Sequence, residues 1–400
     1  MCAHLKGSNS KKNKALNLRL VLSEIVTQRP ISRVEISRRT HLTKQTITNM
    51  VEELLDIGLV IEVGIKKEGT VGKPSKMLDL SQKGCYSFSI RMFSTKVEIG
   101  IYSLTGITIA KMQAEYTQGG ELNVIRESFT ALMTQKKLNK SQILGVGITF
   151  VSSKEHNLST YQKSMDFKLA LTEALSLPIA TESTASACAA YQMLYGEAKH
   201  LHSFVCVHIS DVVEAAVVYD RNILLGANGL TGAIGEMFVT PETDEKTVEL
   251  GRLNDFASLN SLQKHFGKSF PCHEELMQYC YDNPNKFEQW LERSAEPMRI
   301  AIHSLETLLN CQTIIIGGDV DSWFLDKFIT QLRPYIPSIA QYGDRSVVRL
   351  IKVPEVEELT LKSTATLPLH AALSMGNMQT LSLPPIDDLQ DVQQLIYLAE

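Results

Sequence analysis

The sequence predicts an α/β chain in two parts: a small basic unit of helices closed by a hairpin, and a much larger body behind it. Three observations point there. Two helix-start signals and a strand pattern follow one another within the first eighty residues. Residues 83–400 then alternate strand-like and helix-like segments, the signature of an α/β domain. Charge divides at the same place. Residues 1–80 hold 14 Lys and Arg against 8 Asp and Glu, whereas the remainder holds 26 against 36, within a 400-residue chain of net charge −4. A basic front on an acidic body points to nucleic-acid binding by the front alone, although a solvated basic tail gives the same count.

Composition bounds the rest. With 44% hydrophobic and 21% charged residues, wholesale disorder is excluded. Four hundred residues suit two or three domains. The most apolar stretch, 204–219, is broken by His208, Asp211 and Glu214, so no membrane insertion is predicted. The N-terminus has no apolar run of the secretory kind. Seven scattered cysteines without a CxxC pair argue against a disulfide framework and for a cytoplasmic location.

Taken in order, residues 1–14 read as a basic arm and 15–82 as the front domain. Leu16, Leu20, Val21, Ile25 and Val26 give residues 15–28 a helical period. Arg29-Pro30 ends that helix. Ser32 and Glu35 form a capping-box pair flanked by Ile31 and Ile36, so a second, short helix starts there and stops near Thr40. After a turn at His41-Leu42, Thr43 caps a third helix. Ile47, Met50, Val51 and Leu54 lie on one of its faces. Lys44, Gln45, Thr48 and Asn49 lie on the other, with Thr46 at the exposed first turn. Side chains of these types can pair with base edges: Gln and Asn with adenine, Lys with guanine. Two helices joined by a short turn, the second polar at its start, make a helix-turn-helix. Residues 59–63 and 75–80 predict the two strands of a wing, whose Lys66, Lys67, Lys73 and Lys76 suit phosphates. A three-helix protein-interaction module shares this outline; charge, polar face and wing together favour DNA.

In the body, strands are predicted over 85–92, 97–102, 107–116, 143–150, 179–182, 205–209, 215–219 and 312–318. Helices are predicted over 122–136, 167–175 and 185–195. Polar, linker-like stretches fall at 152–159, 241–247 and 284–286. Cys272-His273 with Cys280 lacks the partner ligands of a metal site and reads as a surface loop. His208 reads as a strand residue rather than as part of a cluster with His200 and His202.

Several motifs together resemble the ROK family of repressors and sugar kinases, and among them its transcriptional regulators of the N-acetylglucosamine, glucose and xylose repressor type. They are Gly7-Ser8-Asn9 followed by Asn13-Lys14-Ala15-Leu16-Asn17-Leu18, the wing's Gly72-Lys73-Pro74, Leu144-Gly145-Val146-Gly147-Ile148, Leu177-Pro178-Ile179 before Glu182, the run from Gly226 to Glu236, and Ile314-Ile315-Ile316-Gly317-Gly318. The resemblance implies a winged helix-turn-helix joined to a two-lobed, actin-like (ribonuclease-H-like) body over 83–400, and a homodimer or homotetramer. It also implies a double-stranded DNA operator, and an effector that is a small molecule or a protein such as a sugar phosphotransferase component.

The same resemblance shows what this chain has lost. Phosphoryl transfer needs phosphate-binding amides, a carboxylate base and groups that orient the sugar. The family's Asp-x-Gly-Gly-Thr phosphate loop is here Arg91-Met92-Phe93-Ser94-Thr95, and its second, glycine-rich loop is Ser210-Asp211-Val212-Val213-Glu214-Ala215-Ala216. Its Glu-Asn-Asp signature, which carries the sugar-binding Asn and the catalytic Asp, reads Glu182-Ser183-Thr184, and its metal-binding histidine is Phe238. Its zinc knuckle falls near 245–252, where there is no cysteine, so Leu250, Leu253 and Phe256 are expected to hold that loop by packing. The expectation is a non-enzyme with no cofactor and no metal. Its candidate ligand contacts are Glu236, which is equally readable as a solvated loop residue, with Glu182 and with Arg91 available for an anion.

Overall fold

The computed structural model describes residues 10–398 apart from 67–74, 152–157, 228, 230, 240–250, 343–346 and 354–356. The front unit comprises α1 (Ser10–Gln28), β1 (Ile31–Ser32), α2 (Arg33–Thr40), α3 (Lys44–Asp56), β2 (Val60–Lys66) and β3 (Ser75–Leu80). Helix α1 starts five residues before the helical period becomes visible, so residues 10–14 are helix rather than arm. Polar Ser10-Lys-Lys-Asn-Lys14 contains nothing that breaks a helix, and Lys14 Nζ reaches Glu53 of α3 at 2.7 Å. The capping box forms: Glu35 N donates to Ser32 Oγ at 3.2 Å, and Ser32 N donates back to Glu35 Oε2 at 2.9 Å. Ile31 and Ser32 also make a short strand, β1, that pairs with β3. Thr46 N donates to Thr43 Oγ1 at 3.2 Å, the predicted cap of α3. Gly58 follows α3 at φ +71°, a left-handed conformation that glycine adopts without strain.

The body is built from two lobes with the same strand plan. The first contains β4 (Tyr86–Met92), β5 (Lys96–Ser103), β6 (Thr108–Glu115), α4 (Glu121–Lys136), β7 (Ile143–Phe150), α5 (Leu158–Leu175), β8 (Ile179–Thr181) and α6 (Thr184–Leu194). The second contains β9 (Phe204–Ile209), β10 (Val213–Tyr219), β11 (Asn222–Ile223), β12 (Phe238–Val239), β13 (Gly251–Arg252), α7 (Leu253–Ala257), α8 (Leu259–Phe266), α9 (His273–Asp282), α10 (Pro284–Leu309), β14 (Thr313–Gly318), α11 (Ser322–Gln331) and β15 (Leu350–Lys352). The chain then returns to the first lobe through α12 (Glu357–Leu373), β16 (Leu381–Ser382) and α13 (Asp391–Tyr397). The sheets run β16-β8-β7-β4-β5-β6 and β11-β10-β9-β14-β15. In each, an antiparallel meander of three strands is flanked, beside its first strand, by two parallel ones. That repeated plan is the two-lobed architecture the resemblance implies.

Residues 284–286 are not a linker but the first turn of α10, where Pro284 lacks only an N–H that a helix start does not use. Residues 272–280 are not a surface loop either: His273 opens α9 and Cys280 is buried in the second lobe's core. Leu253 and Phe256 are buried as expected; Leu250 lies outside the described residues.

The front unit shares one core with the body. Leu18, Val21, Leu22, Ile25 and Val26 of α1 pack in the same apolar cluster as Leu144, Leu194, Leu369, Ile396 and Tyr397. Arg19 is buried at this seam, and its guanidinium donates to the carbonyls of Ile396 (3.3 Å) and Tyr397 (3.4 Å), which end α13. A helix end has carbonyls without intrahelical donors, so a buried arginine satisfies them. Helix α12 crosses behind the first sheet, and its Thr364 carbonyl presses on Gly147, where a Cβ would collide with it. The residues 15–82 predicted as a domain are thus docked on the body, not tethered to it.

Candidate DNA-binding face and effector cleft

Helix α3 presents its polar side outward because Ile47, Met50, Val51 and Leu54 are buried against α1 and α2. Lys44, Gln45 and Asn49 are exposed; Thr46 and Thr48 are half-buried. Gln45 Nε2 donates to Asn49 Oδ1 at 2.8 Å, so the two amides one turn apart form a pair across the face. The Thr46 hydroxyl bonds that of Thr43 (2.8 Å), and the Thr48 hydroxyl donates to the Lys44 carbonyl (2.9 Å). Both threonines are tied down within the helix's first turn, whereas Lys44, Gln45 and Asn49 are exposed and stand as the leading candidates for base edges.

On the wing, Lys67 and Lys73 lie outside the described residues, and Lys66 ends β2. Lys76 does not stand free. Its Nζ meets Glu62 Oε2 at 2.5 Å, and Glu62 also takes Arg33 Nη1 at 3.0 Å. The cross-strand carboxylate is the part sequence reasoning missed. Lys76 holds the Glu62 carboxyl below its ordinary value, with Arg33 assisting.

In the body, Arg91 is not available to an external anion. Its side chain is 1% exposed, and Nη2 is bonded to Asp319 Oδ2, itself fully buried. Arg91 comes from β4 of the first lobe and Asp319 follows β14 of the second, so the pair spans the lobes. Asp319 gathers more partners. Ser210 Oγ donates to it at 2.6 Å and Thr360 Oγ1 at 3.3 Å, while His208 Nε2 and His273 Nδ1 lie at 3.5 and 3.9 Å. Burial alone would push the Asp319 carboxyl up; Arg91, His208 and His273 overcome this and hold it well below its ordinary value. Burial pulls His273 down, but its hydrogen bond to Asp211 (3.2 Å) and the nearby Asp319 outweigh that and raise it. Sequence reasoning missed Asp319, though an acid directly after a buried strand ending in glycines, at its carboxyl end, was a usable signal.

The segments 91–95 and 210–216 therefore meet around an internal ion pair. Phe93 lies over Arg91 and Lys96, at 5.0 and 4.4 Å from its ring centre. A cavity of about 110 Å³ remains beside it, lined by Phe93, Lys96, Asp211, Gln263, Phe270 and His273. Small-molecule sites are commonly about 300–1,000 Å³, so this space is small beside them.

Glu182 and Glu236 each have a separate set of partners. Glu182 sits between β8 and α6, where Ser183 caps the helix by accepting Ser186 N at 3.1 Å. Glu182 Oε1 is buried and has no hydrogen-bond partner among the described residues. Burial pushes its carboxyl up to about 7, against the opposing pull of Ser186, Lys168 and Ser183. Burial in turn lowers Lys168, whose Nζ donates to the Thr380 carbonyl at 3.3 Å. Thr184, at the place of the family's base, is buried in the first turn of α6. Glu236 is exposed on a short 3-10 turn, bonded to Arg252 Nη1 (2.7 Å) and Asn254 Nδ2 (3.1 Å), with Phe238 exposed nearby over Arg252. Among the described residues no group of three or more His, Cys, Asp or Glu is arranged to hold a metal, and no helix is long and apolar enough to cross a membrane.

A helical head with a three-stranded sheet, joined to a two-lobed body whose sheets share one strand plan, defines a protein of sugar-kinase-like fold with an added N-terminal unit. The chain belongs to the ROK family, whose model matches residues 87–358. It is similar to the xylose repressor of Staphylococcus xylosus, with 23% identity over 382 residues, 91% of this chain and 97% of that protein. It is also similar to the DNA-binding transcriptional repressor Mlc of Escherichia coli, with 23% identity over 223 residues, 53% of this chain and 55% of that protein. Among solved structures, a ROK family transcriptional regulator homologous to the E. coli Mlc protein superposes with TM-score 0.66 and 19% identity, over 92% of this chain and 99% of that one. The ROK hexokinase of Thermus thermophilus gives 0.51 and 17%, over 70% and 97%.

Proposed function

We propose that this protein is a DNA-binding repressor of carbohydrate-related genes, acting as a homodimer or homotetramer whose body senses an effector and does no chemistry. The observation that carries the DNA-binding reading is the exposed Gln45–Asn49 pair on a helix whose opposite face is locked into a core continuous with the body. Full-length similarity to repressors supports the same reading. Selection of random duplexes on the full-length protein should enrich a site with two related half-sites about one helical turn, or a multiple of it, apart. Enrichment of no sequence would refute the assignment.

The kinase alternative is opposed by the buried Arg91–Asp319 pair where phosphate would sit, and by Thr184 where a base is needed. No hexose phosphate should form with ATP; its formation, abolished by changing a body residue, would reverse this. For the effector, Glu182 and Glu236 offer hydroxyl-accepting carboxylates, but Ser183, Thr184 and Phe238 supply few of the paired groups that a buried sugar needs. Calorimetry with glucose, N-acetylglucosamine, mannose and xylose should therefore show no binding at millimolar sugar. A micromolar dissociation constant abolished by Glu236→Ala would make a sugar the effector; with no sugar bound, a protein partner is the preferred control.

A further inference from the structure

We propose that Glu62 sets the head's sequence-independent affinity for DNA by competing with phosphates for Arg33 and Lys76; this rests on the repressor reading above. The head's small sheet brings the three residues together. Its strand order is β1-β3-β2, with β3 in the middle. On one side, Ile31 and Ser32 of β1 pair with Leu78 and Met77 of β3, so the register carries the next residue, Arg33, toward Lys76. On the other side, Glu62 of β2 stands opposite Leu78, two residues along β3 from Lys76. Residues two apart on a strand share a face, and a diagonal neighbour is within reach of a long side chain.

The carboxylate divides its oxygens between the cations. Lys76 Nζ donates to Oε2 at 2.5 Å and Arg33 Nη1 to Oε1 at 3.0 Å. One negative charge thus answers two positive ones. The hydrogen bond from Lys76 does most to hold the Glu62 carboxyl below its ordinary value, so it is ionised at neutral pH. The trio is open to water: the Arg33 and Glu62 side chains are 26% and 27% exposed and that of Lys76 is 63%. Pairs so exposed add little to stability. The sheet is held instead by Val60, Leu78 and Leu80, which are buried in the head's core.

What the carboxylate changes is the charge offered to a polyanion. Contacts to phosphates give affinity without sequence preference, and contacts to base edges give the preference. Arg33 or Lys76 reaches a phosphate only by leaving Glu62, and the bared carboxylate then faces charges of its own sign. Glu62 therefore subtracts from binding to every duplex alike, and it does so through two other side chains, as a positioning residue. A repressor meets non-specific sites in vast excess. Holding two cations back limits its residence on them and leaves base reading by α3 as the larger share of what remains.

The test uses the full-length protein, a duplex selected on it and a scrambled duplex, with affinities measured across a salt series. Glu62→Gln should bind both duplexes more tightly and steepen the salt slope of each by roughly one. Lowering salt from about 200 to about 50 mM should then widen its advantage over the wild type about three- to fourfold. Glu62→Asp keeps the charge and should stay near the wild type. Arg33→Gln/Lys76→Gln should lose less slope in the wild-type background than beside Glu62→Gln, where nothing competes for the two cations. An unchanged slope in Glu62→Gln, a Glu62→Asp slope as steep as that of Glu62→Gln, or equal losses in the two backgrounds would overturn the proposal and leave the repressor reading standing. Melting temperatures check that each variant folds, and Glu62→Ser replaces Glu62→Gln if that one does not. Failure to select any duplex would instead sink the repressor reading, and this inference with it.

Discussion

The head and the centre of the body are both rich in charge, and they use it in opposite ways. In the head, ion pairs such as Arg33–Glu62–Lys76 and Arg39–Glu24 lie at the surface, where water screens them. They can be exchanged for contacts with a polyanion at small cost. In the body, Arg91 and Asp319 are removed from water, so each depends on the other. The contrast teaches that a cation's position in a sequence motif says little about its partner. Lys76 and Arg91 were both candidates for meeting an outside anion, and both meet a carboxylate of the chain itself.

The largest effect should come from separating the buried pair. Asp319→Ala leaves the Arg91 guanidinium buried without its counter-ion and should cost about 3–5 kcal/mol in denaturant unfolding. Replacing both, as Arg91→Met with Asp319→Leu, should recover a good part of that loss. A single variant as stable as the wild type would erase the distinction between the two regions.

Glu182 sharpens the comparison, because its Oε1 is buried without a hydrogen-bond partner among the described residues. Its carboxyl stays protonated in the folded protein up to about 7 and in the unfolded chain only to about 4.5. The sign follows. Below about 4.5 the group is neutral in both states and costs nothing; as pH climbs toward 7 the unfolded chain releases the proton first and stability falls. Glu182→Gln should therefore melt with the wild type at pH 4 and above it at pH 8. Equal melting at both ends would mean the carboxylate has found a partner.

The smallest effect belongs to the head's surface pairs. Lys76→Ala should change stability by no more than about 1 kcal/mol, since its partner Glu62 keeps Arg33. A loss comparable with that of Asp319→Ala would show that the wing pair is not merely a surface contact.

The head was legible almost residue by residue. Ser32, Glu35 and Thr43 act through bonds to backbone three residues away, and the buried face of α3 follows from helical period. Local chemistry of this kind survives in one sequence without its fold. In the body, β4 to β8 were readable from apolar runs, and α8 to α11 were passed over although each carries an amphipathic period; α12, apolar on most sides and interrupted by Pro368, has almost no period to read. The Asp319 cluster was invisible for a different reason. Its members are separated by up to 269 positions, from Arg91 to Thr360, and converge only when β4, β9, α9, β14 and α12 meet. The shared core between α1 and α13 was hidden in the same way: Arg19 finds carbonyls 377 residues away.

Base reading by α3 is the property on which the proposed function rests. It is tested most directly by comparing wild type with the Gln45→Ala/Asn49→Ala double variant, full length, on the selected duplex and on a scrambled one across a salt series. The double variant should keep its melting temperature and the salt slope of binding, yet lose roughly 1–3 kcal/mol of discrimination at each base position that the two amides read. A double variant that still prefers the selected duplex as strongly as the wild type does would contradict it.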